Sequence, residues 1–134
     1  IFGNGWPQNV PQNMHIHKPV YGKDFRTIAC NSRINLLFLR HQNFDEITSR
    51  SYEIPSFSVF FLAENSPKHQ QLYNNEELLF NNSDALLERV QYWLRRPDHQ
   101  RKLLSKALYN NIAVSENSIG HQVTHILQYS KISS

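Results

Sequence analysis

Two carboxylates, Asp45 and Glu53, stand with seven residues between them in the stretch Asn43-Phe44-Asp45-Glu46-Ile47-Thr48-Ser49-Arg50-Ser51-Tyr52-Glu53-Ile54-Pro55. A carboxylate accepts hydrogen bonds from a diol, and the free amides that open a helix favour phosphate. An acid in a loop and a second about two helical turns later can therefore flank a polar ligand. Glu53 reads either as a ligand residue or as a surface acid on a short helix. Asp45 reads either as a ligand residue or as a helix N-cap. Arg50, between them, can pair with either acid or reach a phosphate.

The elements that must position these groups are legible on both sides. An apolar run, Ile34-Asn35-Leu36-Leu37-Phe38-Leu39, precedes the acids, and a second, Phe57 to Ala63, follows them. Strand, acidic loop, short helix and strand make one unit of a parallel α/β sheet, in which ligands collect at the carboxyl ends of the strands. Glu64 closes the second run, and the same carboxyl-end rule makes it a candidate ligand residue.

Along the chain, Ile1 to Trp6 reads as a strand ending in a Gly-rich turn, and Met14 to His17 as a short strand stopped by Pro19. Asp24 caps a helix from Phe25 to about Ser32. Ile34 to Leu39 reads as a central strand, Thr48 to Glu53 as a short helix ended by Pro55, and Val59 to Leu62 as the next buried strand. Lys68 to Tyr73 follows as a helix with His69 facing solvent, and Leu78 to Phe80 as an edge strand. Ser83-Asp84 opens the clearest helix, with Leu86, Leu87, Val90, Tyr92, Trp93 and Leu94 on its apolar stripe and Arg95-Arg96 at its end. Pro97 closes it, Asp98 caps another, and a last helix covers Ile119 to Tyr129. Tyr92 and Trp93 read as core and boundary aromatics, Cys30 as an inert buried thiol, and the Lys/Arg set from Arg95 to Lys106 as a solvated helix face. Strand and helix alternate about every 20 residues, which predicts a doubly wound α/β domain with a parallel sheet.

The 134 residues suit one domain, and 40% hydrophobic content with eight Phe, six Tyr and two Trp supplies a core. The single cysteine, Cys30, excludes an internal disulfide framework and points to a reducing, cytoplasmic setting. No apolar run reaches the roughly 18 residues that span a bilayer. The chain starts inside an apparent strand without Met and reads as a fragment of a longer, two-domain protein. Its net charge of +3 fits an anionic partner or ordinary solubility, and without a clustered basic stripe nucleic-acid binding is the weakest class. His15-x-His17 shares one face of a strand, yet the sequence has no Asp-x-Asp motif and no His cluster at ligand spacing.

Arg50-x-Tyr52-Glu53-Ile54-Pro55, Phe60-Phe61-Leu62-Ala63-Glu64, Glu76-Glu77-Leu78-Leu79-Phe80 and Tyr92-Trp93-Leu94-x-x-Pro97 occur in this order. Together they resemble the C-terminal domain of GT-B glycosyltransferases (glycosyl transferases group 1), in the branch of the spore-maturation, CgeB-like proteins, from about Ile1 to Leu108. The spacing of Asp45 and Glu53 looks like the Glu-x7-Glu motif of the retaining enzymes, with Asp where Glu is usual. The turn Gly3-Asn4-Gly5 is similar to the Gly-rich turn that opens their donor domain, and Gly22 to the glycine after the next strand.

The resemblance implies a Rossmann-like half-enzyme, of three-layer α/β/α architecture, that holds a nucleotide-diphosphate sugar without a metal or other cofactor, with Glu64 a candidate for the sugar or acceptor side. Its missing N-terminal domain would bring the acceptor. By the family pattern Glu53 accepts from the ribose hydroxyls and Asp45 lies by the transferred sugar. The amides of Ile47, Thr48 and Ser49 face the diphosphate, and Gly3, Asn4 and Gly5 line the cleft. Relatives carry a small residue and then Gly after the Ile-Pro, whereas this chain has Ser56-Phe57-Ser58. Asn74-Asn75 likewise replaces a turn that usually has Gly. Those departures keep open a second class, a degenerate glycosyltransferase-like interaction module.

Overall fold

A computed structural model of the chain describes Phe2, Pro7 and residues 9–114. Its contacts divide into two units, Ile1–Ser32 and Arg33–Ser134. In the second, three parallel strands, β1 (Asn35–Leu37), β2 (Phe61–Glu64) and β3 (Leu79–Phe80), lie in the order β1-β2-β3. Asn35 pairs with Phe61, Leu37 with Ala63, and Ala63 in turn with Leu79. Phe61, Leu62 and Ala63 are wholly buried, as an apolar run in the middle of a parallel sheet must be. The class expected from the sequence, a Rossmann-like α/β domain with a parallel sheet, is the one observed.

The helices of this unit begin and end for readable reasons. In α3 (Pro67–Tyr73), Ser66 accepts from the His69 N–H as N-cap, Pro67 fills the first turn, and Asn74 at φ 46° closes the helix in the left-handed region. In α4 (Ser83–Arg95) the cap is Asn82, which accepts from the Ala85 N–H, one residue before the expected start. Pro97 separates α4 from α5 (Asp98–Val114). Helix α2 (Arg50–Ser56) packs on α5, β1 and β2, while α4 packs on β2 and β3. The core gathers Leu37, Ile54, Phe61, Tyr73, Leu78, Trp93, Leu108 and Ile112. Phe61 meets Tyr73 edge-on at 4.9 Å, and Phe60 meets Trp93 at 4.8 Å between ring centroids.

Several expectations need correction. Pro55 lies inside α2 rather than beyond it. The chain is still leaving that helix at Phe57 and Ser58, whose amides donate to the Ile54 and Pro55 carbonyls, and β2 starts at Phe61, two residues after the expected Val59. Among the described strands β1 sits at the end of the sheet, not its centre, and exposes Leu36 and Phe38. Arg101 does not belong to a solvated face. It is buried, and its guanidinium donates to the carbonyls of Trp93 and Arg96 and to Asp98 Oδ1. A cation thus sits on the unsatisfied carbonyl end of α4, where the helix dipole favours it. Lys102 joins from the surface, and Lys102 and Arg101 together hold the Asp98 carboxyl below its ordinary pKa.

In the first unit Phe2 bridges His17 in parallel sense, and their rings stack at 4.7 Å. Met14 to His17 otherwise forms no strand among the described residues. Helix α1 (Gly22–Asn31) starts earlier than Asp24, which lies in its first turn instead of capping it, and Cys30 is exposed rather than buried. Among the described residues no group of three or more His, Cys, Asp or Glu could hold a metal, and no helix is long and apolar enough to cross a membrane. The Gly3-Asn4-Gly5 turn and the helix expected over Ile119 to Tyr129 lie outside the described residues.

Candidate functional site

The loop leaving β1 is wound into a single 3-10 turn, His41–Asn43. The Arg40 carbonyl accepts from the amides of both Asn43 (3.0 Å) and Asp45 (3.4 Å), and the Phe44 amide donates to His41 O. Phe44 takes a left-handed φ of 53° to close the turn. Glu64, at the carboxyl end of β2, reaches across to this loop. Its Oε2 accepts from the Leu39 N–H at 2.9 Å, and its Oε1 lies 2.6 Å from His41 Nε2. The carboxylate therefore takes over the ladder of β1 where the backbone pairing stops.

Below the loop lies a buried polar network. Ser51 Oγ accepts from the Thr48 N–H (3.0 Å) and lies 2.8 Å from His69 Nε2. His69 Nδ1 is 2.6 Å from the Glu64 carbonyl, which can only accept, so Nδ1 carries the proton and Nε2 receives the Ser51 hydroxyl. His69 is 0% exposed. Burial lowers its pKa against the opposing pull of Glu64, which favours the neutral ring. Ser66 Oγ donates to the Glu46 carbonyl at 2.6 Å, and the Tyr73 hydroxyl to the Ser51 carbonyl at 2.8 Å. Burial raises the Tyr73 phenol pKa far above its ordinary value. Helix α3 and its N-cap Ser66 thus anchor the loop from Glu46 to Ser51 at three points, and a Ser–His pair that resembles a nucleophile and its base is sealed from any substrate.

The residues singled out in the sequence fall into distinct places. Asp45 is half-buried and is not an N-cap, since Ser49 occupies that position and offers no side-chain cap. Ile47 and Thr48 are half-buried and Ser49 is exposed. The Thr48 amide is already engaged by Ser51, leaving those of Ile47 and Ser49 as the phosphate-facing candidates. Arg50 Nη1 holds Glu53 Oε2 at 2.8 Å on a half-exposed face of α2. Glu64 joins His41 and Leu39. A concavity of about 380 Å³ lined by Glu88, Gln91, Tyr92, Arg95, Arg96 and Pro97 includes none of these residues.

Two histidines escaped the sequence reading. His69, expected to face solvent, is instead the hub of the buried network. Its spacing from Leu72 and Tyr73, three and four residues on, was the signal for one inward helix face. His41 had no local signal, because its partner lies 23 residues away.

No curated protein and no solved structure matches the chain. Residues 1–128 match the model of the family described as Glycosyl transferase-like. With nearly its whole length matched and a parallel α/β sheet at its centre, the chain belongs to that family and is a glycosyltransferase-type domain.

Proposed function

We propose that the chain is the donor-binding C-terminal domain of a GT-B glycosyltransferase of the CgeB-like branch, working in the cytoplasm. It holds a nucleotide-diphosphate sugar against an N-terminal acceptor domain. The observation that carries this reading is the Arg50–Glu53 pair, half-exposed in the first turn of α2, the first α-helix after β1 in the chain. Glu53 accepts from the ribose hydroxyls, Arg50 orients that carboxylate, and the amides of Ile47 and Ser49 face the diphosphate. Asp45, in the loop that precedes α2, lies by the sugar.

In the transfer the bond from the anomeric carbon to the diphosphate breaks with its electron pair on the phosphate oxygen. A bond to the acceptor oxygen forms on the same face, with retention, and the acceptor's hydroxyl proton passes to the departing diphosphate oxygen. The reading needs no metal, because cationic side chains and backbone amides stabilise the departing charge.

A specific observation favours the second reading, a degenerate interaction module. Phe57 is half-buried and Ser58 holds φ 56° in the run after Ile54-Pro55, where the resemblance leads one to expect a small residue and then glycine. Calorimetric titration with UDP, GDP and their sugar conjugates separates the two. Micromolar-to-millimolar binding of one base supports the donor domain, and silence toward every nucleotide supports the module.

A further inference from the structure

Beyond the acids of the loop, the molecule aims one more polar group at the carboxyl end of its sheet. His41 is anchored through Nε2 to Glu64 Oε1 at 2.6 Å, while its side chain is 77% exposed. Glu64 cannot swing away freely, because its Oε2 accepts from the Leu39 N–H at 2.9 Å and its side chain is only 17% exposed. A carboxylate can only accept, so in the neutral imidazole the proton sits on Nε2 and the lone pair on Nδ1. An ordinary surface ion pair, worth about 0–1 kcal/mol, holds neither partner in one geometry. Here the carboxylate is fixed by a backbone donor, and the ring inherits that orientation.

We propose that His41 is a hydroxyl-recognising residue of the donor site. Glu64 fixes its tautomer, and Nδ1 accepts from a hydroxyl of the sugar carried by the nucleotide. The chemistry selects this ligand: a lone-pair acceptor matches a hydroxyl, whereas the oxygens of an ionised diphosphate are acceptors themselves and offer it no proton. Position agrees, since polar ligands of open parallel sheets bind beyond the carboxyl ends of the strands, where the turn at His41–Asn43 lies. His41 would touch the sugar, and Glu64 is its positioning residue. The proposal rests on the donor-domain reading above.

The test titrates wild type, His41→Phe and Glu64→Gln with UDP, UDP-glucose, GDP and GDP-mannose, and reads the ring-nitrogen shifts of His41 by NMR. For the base that binds, His41→Phe should weaken the sugar conjugate about fivefold and leave the bare diphosphate unchanged, as expected for one lost hydrogen bond. In Glu64→Gln the single amide oxygen must serve the Leu39 N–H. The NH2 then faces His41 Nε2, so the proton should move to Nδ1 and the same selective loss should follow. Equal loss for diphosphate and conjugate, or no loss for either, overturns the proposal. So does a wild-type ring protonated at Nδ1, whatever the nucleotide results. Wild type that binds no nucleotide at all refutes the donor reading and this proposal with it, whereas wild-type binding with a silent His41→Phe refutes only the proposal.

Discussion

The Tyr73 hydroxyl donates to the Ser51 carbonyl at 2.8 Å, the oxygen that Pro55 leaves without its helical partner. In an α-helix the amide four residues on would bond that carbonyl, and proline has none. A side chain from α3 supplies the missing proton, which is why α2 can carry a proline one residue from its end.

Tyr73→Phe therefore leaves a buried carbonyl unsatisfied and should cost about 1–3 kcal/mol in denaturant unfolding. Pro55→Ala restores an amide to the same oxygen, so Tyr73→Phe should cost at least about 1 kcal/mol less in that background. Strict additivity of the two substitutions would show that the two donors do not share the carbonyl.

The acid limb of stability should carry the mark of His69. Its folded pKa is lowered below the ordinary 6.5 by burial, so below 6.5 the unfolded chain binds the extra proton first. The contribution is fully present above pH 6.5 and is lost as pH falls through that value toward the folded pKa. His69→Gln should flatten the decline in unfolding free energy below pH 6.5 while lowering stability at neutral pH. An unchanged acid limb would contradict the neutral, buried ring.

Ser58 holds φ 56°, a conformation that a residue with a Cβ adopts at a cost of roughly 1–2 kcal/mol and glycine adopts freely. Ser58→Gly should range from neutral to about 1 kcal/mol stabilising, once the greater entropy of unfolded glycine is set against the relief. Ser58→Val, β-branched, should destabilise by more than about 1 kcal/mol. Thermal unfolding ranks the three, and a stable Val variant would sink the argument.

Arg101 ties α5 to the end of α4 through two carbonyls and Asp98. Arg101→Met keeps much of the buried stem but strands those acceptors, and should cost about 2 kcal/mol or more in denaturant unfolding. Arg101→Lys should recover only part, because a single ammonium cannot reproduce the fork. Full recovery by Lys would mean that charge, not geometry, matters there.

What was legible in the sequence follows the range of the forces involved. The apolar run through Phe61, Leu62 and Ala63 announces a buried parallel strand, because burial on both faces demands apolar residues throughout. The proline and asparagine signals at Pro67, Asn74 and Pro97 punctuate helices by local sterics alone. The start of β2 was misplaced because a left-handed serine does the work for which glycine is the visible sign. His69, Arg101 and His41 were misread or missed for another reason. Their partners, Ser51, Trp93 and Glu64, lie 18, 8 and 23 residues away, and only the fold brings them together. Of the candidate site, the pairing of Arg50 with Glu53 was within reach because three residues separate them on one helix. The engagement of both Glu64 oxygens was not.

The central claim is that Glu53 grips the ribose of a nucleotide diphosphate, and one measurement meets it directly. Isothermal titration would compare the nucleoside diphosphate that binds with its 2′-deoxy analogue, on wild type and on Glu53→Ala. Wild type should prefer the ribonucleotide by roughly tenfold, the worth of a hydrogen bond to a charged acceptor, and Glu53→Ala should bind both weakly and alike. Equal affinity of wild type for the two analogues, or a preference that survives Glu53→Ala, would contradict the account.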